Sequence, residues 1–309
     1  MSDRVLNLYG KNPATFVKES FELILGRKFT DSDLATLAPY LRENSVTVDY
    51  FKMVLESEEY RARIKFLHSE TSVAIHYFNH LPKTGGTSLI AGVTQSMSPL
   101  KFRNVNFRTL AEMSTIEVAK LSFLVGHVGQ SPLVQFPQLP WKMYGLWRDP
   151  TEWWVSYYQH CRRILERGDK NYEDSLDVKS AHFTFSEWIR LDGFGTNIMF
   201  KVWMEVGTRL DSASTASPQI REDISITREK VLEFVAKFEL MARTSRCLDV
   251  ANRIRFELGM SPLSHFEKHN VGAYSFSISE SDIRYLKTRH PIDYWFDDVM
   301  SKSTELSIP

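Results

Sequence analysis

The sequence predicts an α/β protein: a parallel sheet flanked by helices, preceded by a small all-helical domain. Three observations carry that expectation. Up to about residue 69, apolar residues recur at helical spacing. From residue 70 onward, β-rich runs alternate with helical patterns, as they do in sheets built from β-α-β crossovers. One such run, in "HYFNHLPKTGGTSLIAGVTQSM" (His76 to Met97), ends in a glycine turn that opens directly into a helix. The chain therefore divides into residues 1–69 and 70–309.

In the first part, Asn12-Pro13 reads as a cap followed by a first-turn proline, with Val17, Phe21 and Ile24 on one face behind it. Thr30-Asp31 starts a second helix carrying Leu34, Leu37 and Leu41, and Phe51, Val54 and Leu55 begin a third stripe. The stretches "ILGRKFTDSDLATLAPYL" and "FKMVLESEEYRAR" resemble a small helical module of phycobilisome linkers, also found appended to bacterial surface and glycan-related proteins.

In the second part, "SVAIHYFNHL" is the first strand, and the helix after its glycines carries Leu89, Ile90, Val93 and Met97. "LSFLVGH" (Leu121 to His127) and "KMYGLWRD" (Lys142 to Asp149) are the next two strands. The helix after the latter shows a buried stripe of Trp154, Tyr158, Cys161 and Leu165. "REKVLEFVAKFELMART" reads as helix then strand, and "SRCLDVANRIRFELG" as a further helix. "GTRLDSASTASPQIRED" is small and polar, a surface loop, and the aromatics of "HPIDYWFDDVM" pack the last helix.

Composition narrows the function classes. Of the 309 residues 43% are hydrophobic, enough for a sizeable core, and 38 Lys plus Arg balance 38 Asp plus Glu. That balance excludes a globally basic surface for nucleic acid while leaving room for a local basic pocket. No run is long enough to span a membrane, and "MSDRVLNLYGKNP" lacks the apolar core of a signal peptide. Cys161 and Cys247 are the two cysteines, which suits reduced thiols and a cytoplasmic protein. The oligomeric state stays open.

The glycine turn is an anion site by construction. Gly85 and Gly86 let the backbone approach an oxyanion, the free N–H groups of the helix start point at it, and Thr87 and Ser88 add hydroxyls. A nucleotide-kinase turn, GxxxxGK[ST], has its lysine after the glycines. Here Lys83 comes before them. The order Pro-Lys-Thr-Gly-Gly-Thr-Ser resembles the 5′-phosphosulfate loop of sulfotransferases that use 3′-phosphoadenosine 5′-phosphosulfate (PAPS). The resemblance implies a P-loop-like sheet. It also implies donor contacts from Lys83, Thr84, Gly85, Gly86, Thr87 and Ser88, with Lys83 on the oxygen bridging sulfur and phosphorus.

A second element, "YGLWRDPTEWWVSYYQHCRR", puts Arg148 at a strand end, Asp149 as N-cap, Pro150 at the first helical position and Glu152 at capping-box spacing. Ser156 projects away from the buried stripe. This resembles the sulfotransferase 3′-phosphate element, Arg-Asp-Pro followed by Ser-x-Tyr, and implies that Arg148 and Ser156 hold the 3′-phosphate. Trp153 stands where such relatives often carry a second arginine, so the local packing or grip differs here.

"FLVGHVGQSP" sets His127 directly after a strand, at the end where α/β sheets bind ligands. It resembles the Gly-His-Val element of Golgi-type carbohydrate sulfotransferases and their bacterial relatives, which implies a general base. An imidazole suits that task near neutral pH. His80, close to the lysine loop, competes for the role and ranks second, as a site-lining residue.

Further along, "FGTNIMFKVW" resembles a family segment through Asn197 and Lys201, and "SHFEKHN" puts Lys268 and Asn270 where relatives have a polar loop near the 3′-phosphate. Ser245 stands where an acidic residue is common and receives no role. His265 and His269 lie one helical turn apart, but no third ligand accompanies them, so no metal is expected.

The expected activity is sulfuryl transfer from PAPS, releasing 3′-phosphoadenosine 5′-phosphate (PAP), to the hydroxyl of an acceptor that the sequence leaves as carbohydrate, lipid or small molecule. A nucleotide-dependent phosphotransferase and a non-catalytic nucleotide-binding module are the alternatives.

Overall fold

The computed structural model describes residues 74–169, 175–191, 194–204, 225–265 and 277–302. It also describes 29–37, Tyr172 and scattered positions between 15 and 62. Five strands form one parallel sheet: β1 Ile75–Asn79, β2 Phe102–Val105, β3 Phe123–Gly126, β4 Trp141–Trp147 and β5 Phe238–Arg243. Their order is β2-β3-β1-β4-β5. Four of the five fall on runs that the sequence predicts as strands. The fifth, β2, escapes that reading because it is a short edge strand, Phe-Arg-Asn-Val, with Arg103 and Asn104 exposed.

The helices that position the site are α1 Asp31–Leu37, α2 Gly86–Thr94, α3 Pro150–Arg167, α4 Ile198–Met204, α5 Arg228–Val235, α6 Cys247–Glu257, α7 Glu280–Arg289 and α8 Pro291–Lys302. Neighbouring strand residues point to opposite faces, so each face has its own core. Phe78, Val125 and Leu146 meet Leu89 and Val93 of α2 and Val250, Ala251 and Ile254 of α6. Tyr77, Leu124 and Trp147 belong to the other core, with Trp154, Phe200, Phe234 and Phe296 from α3, α4, α5 and α8. Trp147 anchors that side, its ring 5.0 Å from Phe200 and 4.9 Å from Phe296. Such aromatic contacts each add about 0.5–1.5 kcal/mol beyond the area buried.

The stripe of α3 departs from expectation at one end. Trp154, Tyr158 and Cys161 are buried, but Leu165 is 39% exposed. It lies in the final turn, where Glu166, Arg167 and the left-handed cap Gly168 also reach solvent, and Ile164 closes the stripe instead.

The N-terminal helical module docks on the same core. Thr30 and Asp33 cap the start of α1 reciprocally, and Val17, Phe21, Leu37 and Val54 are buried. The Tyr60 hydroxyl donates to Thr115 Oγ1 at 2.5 Å and accepts from Gln138 Nε2 at 3.1 Å, fastening the module to the sheet domain. Among the described residues no helix is long and apolar enough to cross a membrane. Because all strands are parallel, the segments after β1, β3, β4 and β5 emerge along one edge, the place where open α/β sheets bind ligands.

Candidate functional site

Each carbonyl of the turn between β1 and α2, from Leu81 to Gly85, accepts a hydrogen bond. Leu81 O accepts from Thr84 Oγ1 at 2.7 Å. Pro82 O accepts from Trp153 Nε1 at 2.7 Å, and Lys83 O from Arg148 Nη1 at 3.1 Å. Thr84 O accepts from Thr244 Oγ1 at 3.2 Å, and Gly85 O from Ser88 N at 3.1 Å with Cys247 Sγ 3.8 Å away. Donors from α3 and from the ends of β4 and β5 thus hold the three middle carbonyls, Pro82 to Thr84, and the turn's own Thr84 and Ser88 of α2 hold the two outer ones.

The turn's N–H groups are not bound in the same way. Among the described residues, those of Lys83 through Thr87 meet no protein acceptor. Lys83 and Gly85 both have positive φ, 66° and 82°, and Gly85 precedes α2 without a side-chain cap. For Lys83 that backbone is uncommon and strained, the kind of conformation retained where a loop must aim its N–H groups at a ligand. Thr84 is buried and its hydroxyl serves the turn itself, while Thr87 is exposed and Ser88 buried.

His80 explains why Gly86 is a glycine. A Cβ at that position would stand 2.0 Å from His80 Nε2. The His80 ring stacks on Phe78 with centroids 5.4 Å apart and faces His127 at 4.3 Å. His127 Nδ1 lies 2.6 Å from His80 O. A carbonyl oxygen only accepts, so Nδ1 carries the hydrogen and the neutral ring keeps its lone pair on Nε2. His127 is exposed to solvent on one side, yet loss of water on its protein side holds its pKa below the ordinary value. His80 is held well below its ordinary value, chiefly by burial and then by His127 and Lys83.

Asp149 caps α3 as expected, accepting from Glu152 N at 2.9 Å. Glu152 does not complete the capping box, because its carboxylate pairs with Arg148 Nε at 3.2 Å. The same guanidinium reaches the Lys83 carbonyl, so one arginine links the strand end, the helix start and the turn. Trp153 takes a packing role through its bond to Pro82 O. Ser156 is half-buried on α3, roughly 9 Å along the axis from the helix start.

Lys83 is half-buried and its ammonium is destabilised to a pKa of about 8. Burial is the largest cause, followed by Arg163, with Cys161 opposing and Arg148 adding to the shift. His160 is pushed down to about 4 by burial, then by Lys83 and Arg163. The sequence reading missed His160, Arg163 and Thr244. The spacing Ser156, His160, Arg163 was the signal for the first two, since it places all three on one helix face.

Other candidates stand apart. Asn197 Oδ1 accepts from Ile292 N at 2.9 Å, and Lys201 is buried within α4, so both serve helix packing. Ser245 is exposed. Lys268, Asn270 and His269 lie outside the described residues, and His265 is exposed with its Nδ1 3.0 Å from Ser264 Oγ. Among the described residues no group of three or more metal-ligating side chains is gathered. Cys161 and Cys247 are free and buried, and burial pushes both thiols up, Cys247 to about 12.

The site thus joins a set of N–H groups without a protein acceptor among the described residues, a lysine, an arginine and an imidazole with a defined lone pair. No family model matches the chain, and no curated protein or solved structure matches it.

Proposed function

We propose that the protein is a PAPS-dependent sulfotransferase acting on an acceptor hydroxyl. The observation that carries this reading is the turn from Leu81 to Gly85: its carbonyls are tied back, the N–H groups of Lys83 to Thr87 meet no protein acceptor among the described residues, and its lysine precedes the glycines. The strand order β2-β3-β1-β4-β5 with a glycine turn after β1 is compatible with a P-loop-like architecture. An anion with several charges fits this surface, because the uncapped N–H groups of the turn and the Lys83 ammonium would be stabilised by it.

In this reading PAPS supplies the activated sulfuryl group. His127 Nε2 takes the acceptor's hydroxyl proton as the new O–S bond forms and the bond from sulfur to the bridging oxygen breaks. Lys83 stabilises the charge left on that bridging oxygen, which departs with PAP. The N–H groups of Gly85 to Thr87 hold the phosphosulfate oxygens, and Arg148 and Ser156 hold the 3′-phosphate. Catalysis is then mostly positioning and charge stabilisation.

Calorimetry with PAP, ADP and ATP tests the proposal. PAP should bind at least about 10-fold tighter than ADP, since one charge-assisted phosphate contact is worth roughly 1.5–3 kcal/mol. Tighter binding of ATP would favour phosphotransfer, and no PAP binding would end the sulfotransferase reading.

A further inference from the structure

We propose that the polar face of α3 beyond Ser156, carried by His160 and Arg163, is a subsite for a carboxylate or sulfate group on the acceptor, so that the acceptor is an acidic molecule. This rests on the sulfuryl-transfer reading above and extends it to the acceptor.

Ser156, His160, Arg163 and Arg167 follow one another at spacings of four, three and four residues, which lines them along one face of α3. The neighbouring arginines are neutralised: Arg148 pairs with Glu152 at 3.2 Å and Arg162 with Glu166 at 3.7 Å. Arg163 meets no acidic partner among the described residues, although it is half-buried. The carboxylate that couples to His160, Asp177, accepts from Tyr157 and Ser175. Arg167 in the last turn suits the negative end of the helix. That account does not extend to Arg163, one turn further in. A half-buried guanidinium with no counter-charge among the described residues is costly, and this one adds to the positive potential around Lys83.

Along α3, Arg163 stands apart from Ser156. Seven residues part Ser156 from Arg163, roughly 10 Å along the helix, beyond the 3′-phosphate contacts assigned above. Arg148, Lys83 and the turn already answer the donor's phosphates. The additional cation, Arg163, answers a second anion beside the neutral His160, and an acceptor that brings one there is fixed at one end while its hydroxyl is presented near Lys83 and His127. The net charge of +0 for the whole chain makes this a local device for a compact acid.

Equilibrium binding to the PAP-saturated protein tests the assignment with two matched probe pairs: 4-nitrophenyl glucuronide against the neutral glucoside, and 4-hydroxybenzoate against 4-hydroxybenzamide. In at least one pair the acid should bind about 10-fold tighter than its neutral partner, the size of one charge-assisted contact. Arg163→Gln should abolish that preference and Arg163→Lys should keep most of it. PAP affinity should stay within about twofold in both variants, whereas Arg148→Ala should weaken it about 10-fold or more. No preference for either acid overturns the subsite while leaving the donor reading intact. A loss of PAP affinity in Arg163→Gln equal to that of Arg148→Ala reassigns Arg163 to the donor and also overturns it. Absence of PAP binding to the wild-type protein removes both proposals together.

Discussion

At the start of α4 the N–H groups of Met199 and Phe200 point into the Asp293 carboxylate, at 3.2 and 3.3 Å. Asn197, just before that helix, returns the favour by accepting from Ile292 N at the start of α8. At the start of α2 the N–H groups of Gly86 and Thr87 meet no such partner among the described residues, and Gly85 has no side chain to offer. Both helix starts present the same positive end of a peptide dipole. The difference lies in what surrounds it. The α4 start is closed by a buried carboxylate whose pKa burial raises to about 7, even against two N–H donors. The α2 start is bordered by Lys83 and Arg148, which would repel nothing but another cation. An internally answered helix start holds the fold together, and one left open beside cations is prepared for an anion from outside.

The largest effect should come from the residue that acts beside the open start without forming it. His127→Ala is expected to lower turnover about 10²–10⁴-fold, the usual contribution of a positioned base, while PAP affinity is retained. Unchanged turnover on a sulfated product assay would remove His127 from the chemistry and leave the α2 start as a binding device only.

Next comes closing the open start. Gly86→Ala puts a methyl group 2.0 Å from His80 Nε2, so either the ring or the turn must move. PAP affinity should fall about 10–100-fold, equivalent to losing one or two charge-assisted contacts, with secondary structure by circular dichroism unchanged. Combining it with His80→Ala, which removes the clashing ring, should restore part of that affinity. The matched change at the closed start is Asp293→Ala. It leaves two buried N–H groups without an acceptor and should cost about 1–3 kcal/mol of unfolding free energy while PAP affinity is untouched. If Asp293→Ala instead weakened PAP binding as Gly86→Ala does, the two helix starts would be equivalent and the contrast between them would fall.

Much of this contrast is legible in the sequence, and the reasons for the remainder are physical. Pro-Lys-Thr-Gly-Gly-Thr-Ser between a strand and a helix announces the open start, because glycines and a missing cap are local features. Asp149 and Pro150 announce the α3 start for the same reason, as the bond from Glu152 N confirms. The tying back of the turn is not local. Trp153 and Thr244 reach Pro82 and Thr84 only because β4 and β5 lie beside β1 in that order. Trp153 reads in sequence as a departure from the motif that the segment resembles. In the fold it is a donor that shapes the turn. Asp293 closing α4 joins residues more than ninety positions apart, and no spacing rule reaches that far. His160 and Arg163 show a helical spacing in sequence, but their meaning depends on Lys83 lying under that face.

The smallest effect is a titration. In the free protein, burial, then Arg163 and Arg148, hold the Lys83 ammonium down to about 8, with Cys161 opposing. Because the folded value lies below that of an unfolded lysine, the charged amine counts against folding at neutral pH, and this penalty is relieved as pH rises from about 8 toward 10.5. Binding has the opposite sense. An anion seated at the turn favours the ammonium, so the complex takes up a proton wherever the free lysine has begun to lose it, and affinity falls with rising pH. With a free-state value of about 8, PAP affinity should weaken about fourfold between pH 7 and 8.5. Lys83→Arg, which stays charged throughout, should flatten that dependence. The same titration by calorimetry in two buffers of different ionisation enthalpy should register the proton taken up. A flat profile with no proton uptake would mean that Lys83 does not face the bound anion, and the α2 start would then owe its openness to its N–H groups and Arg148 alone.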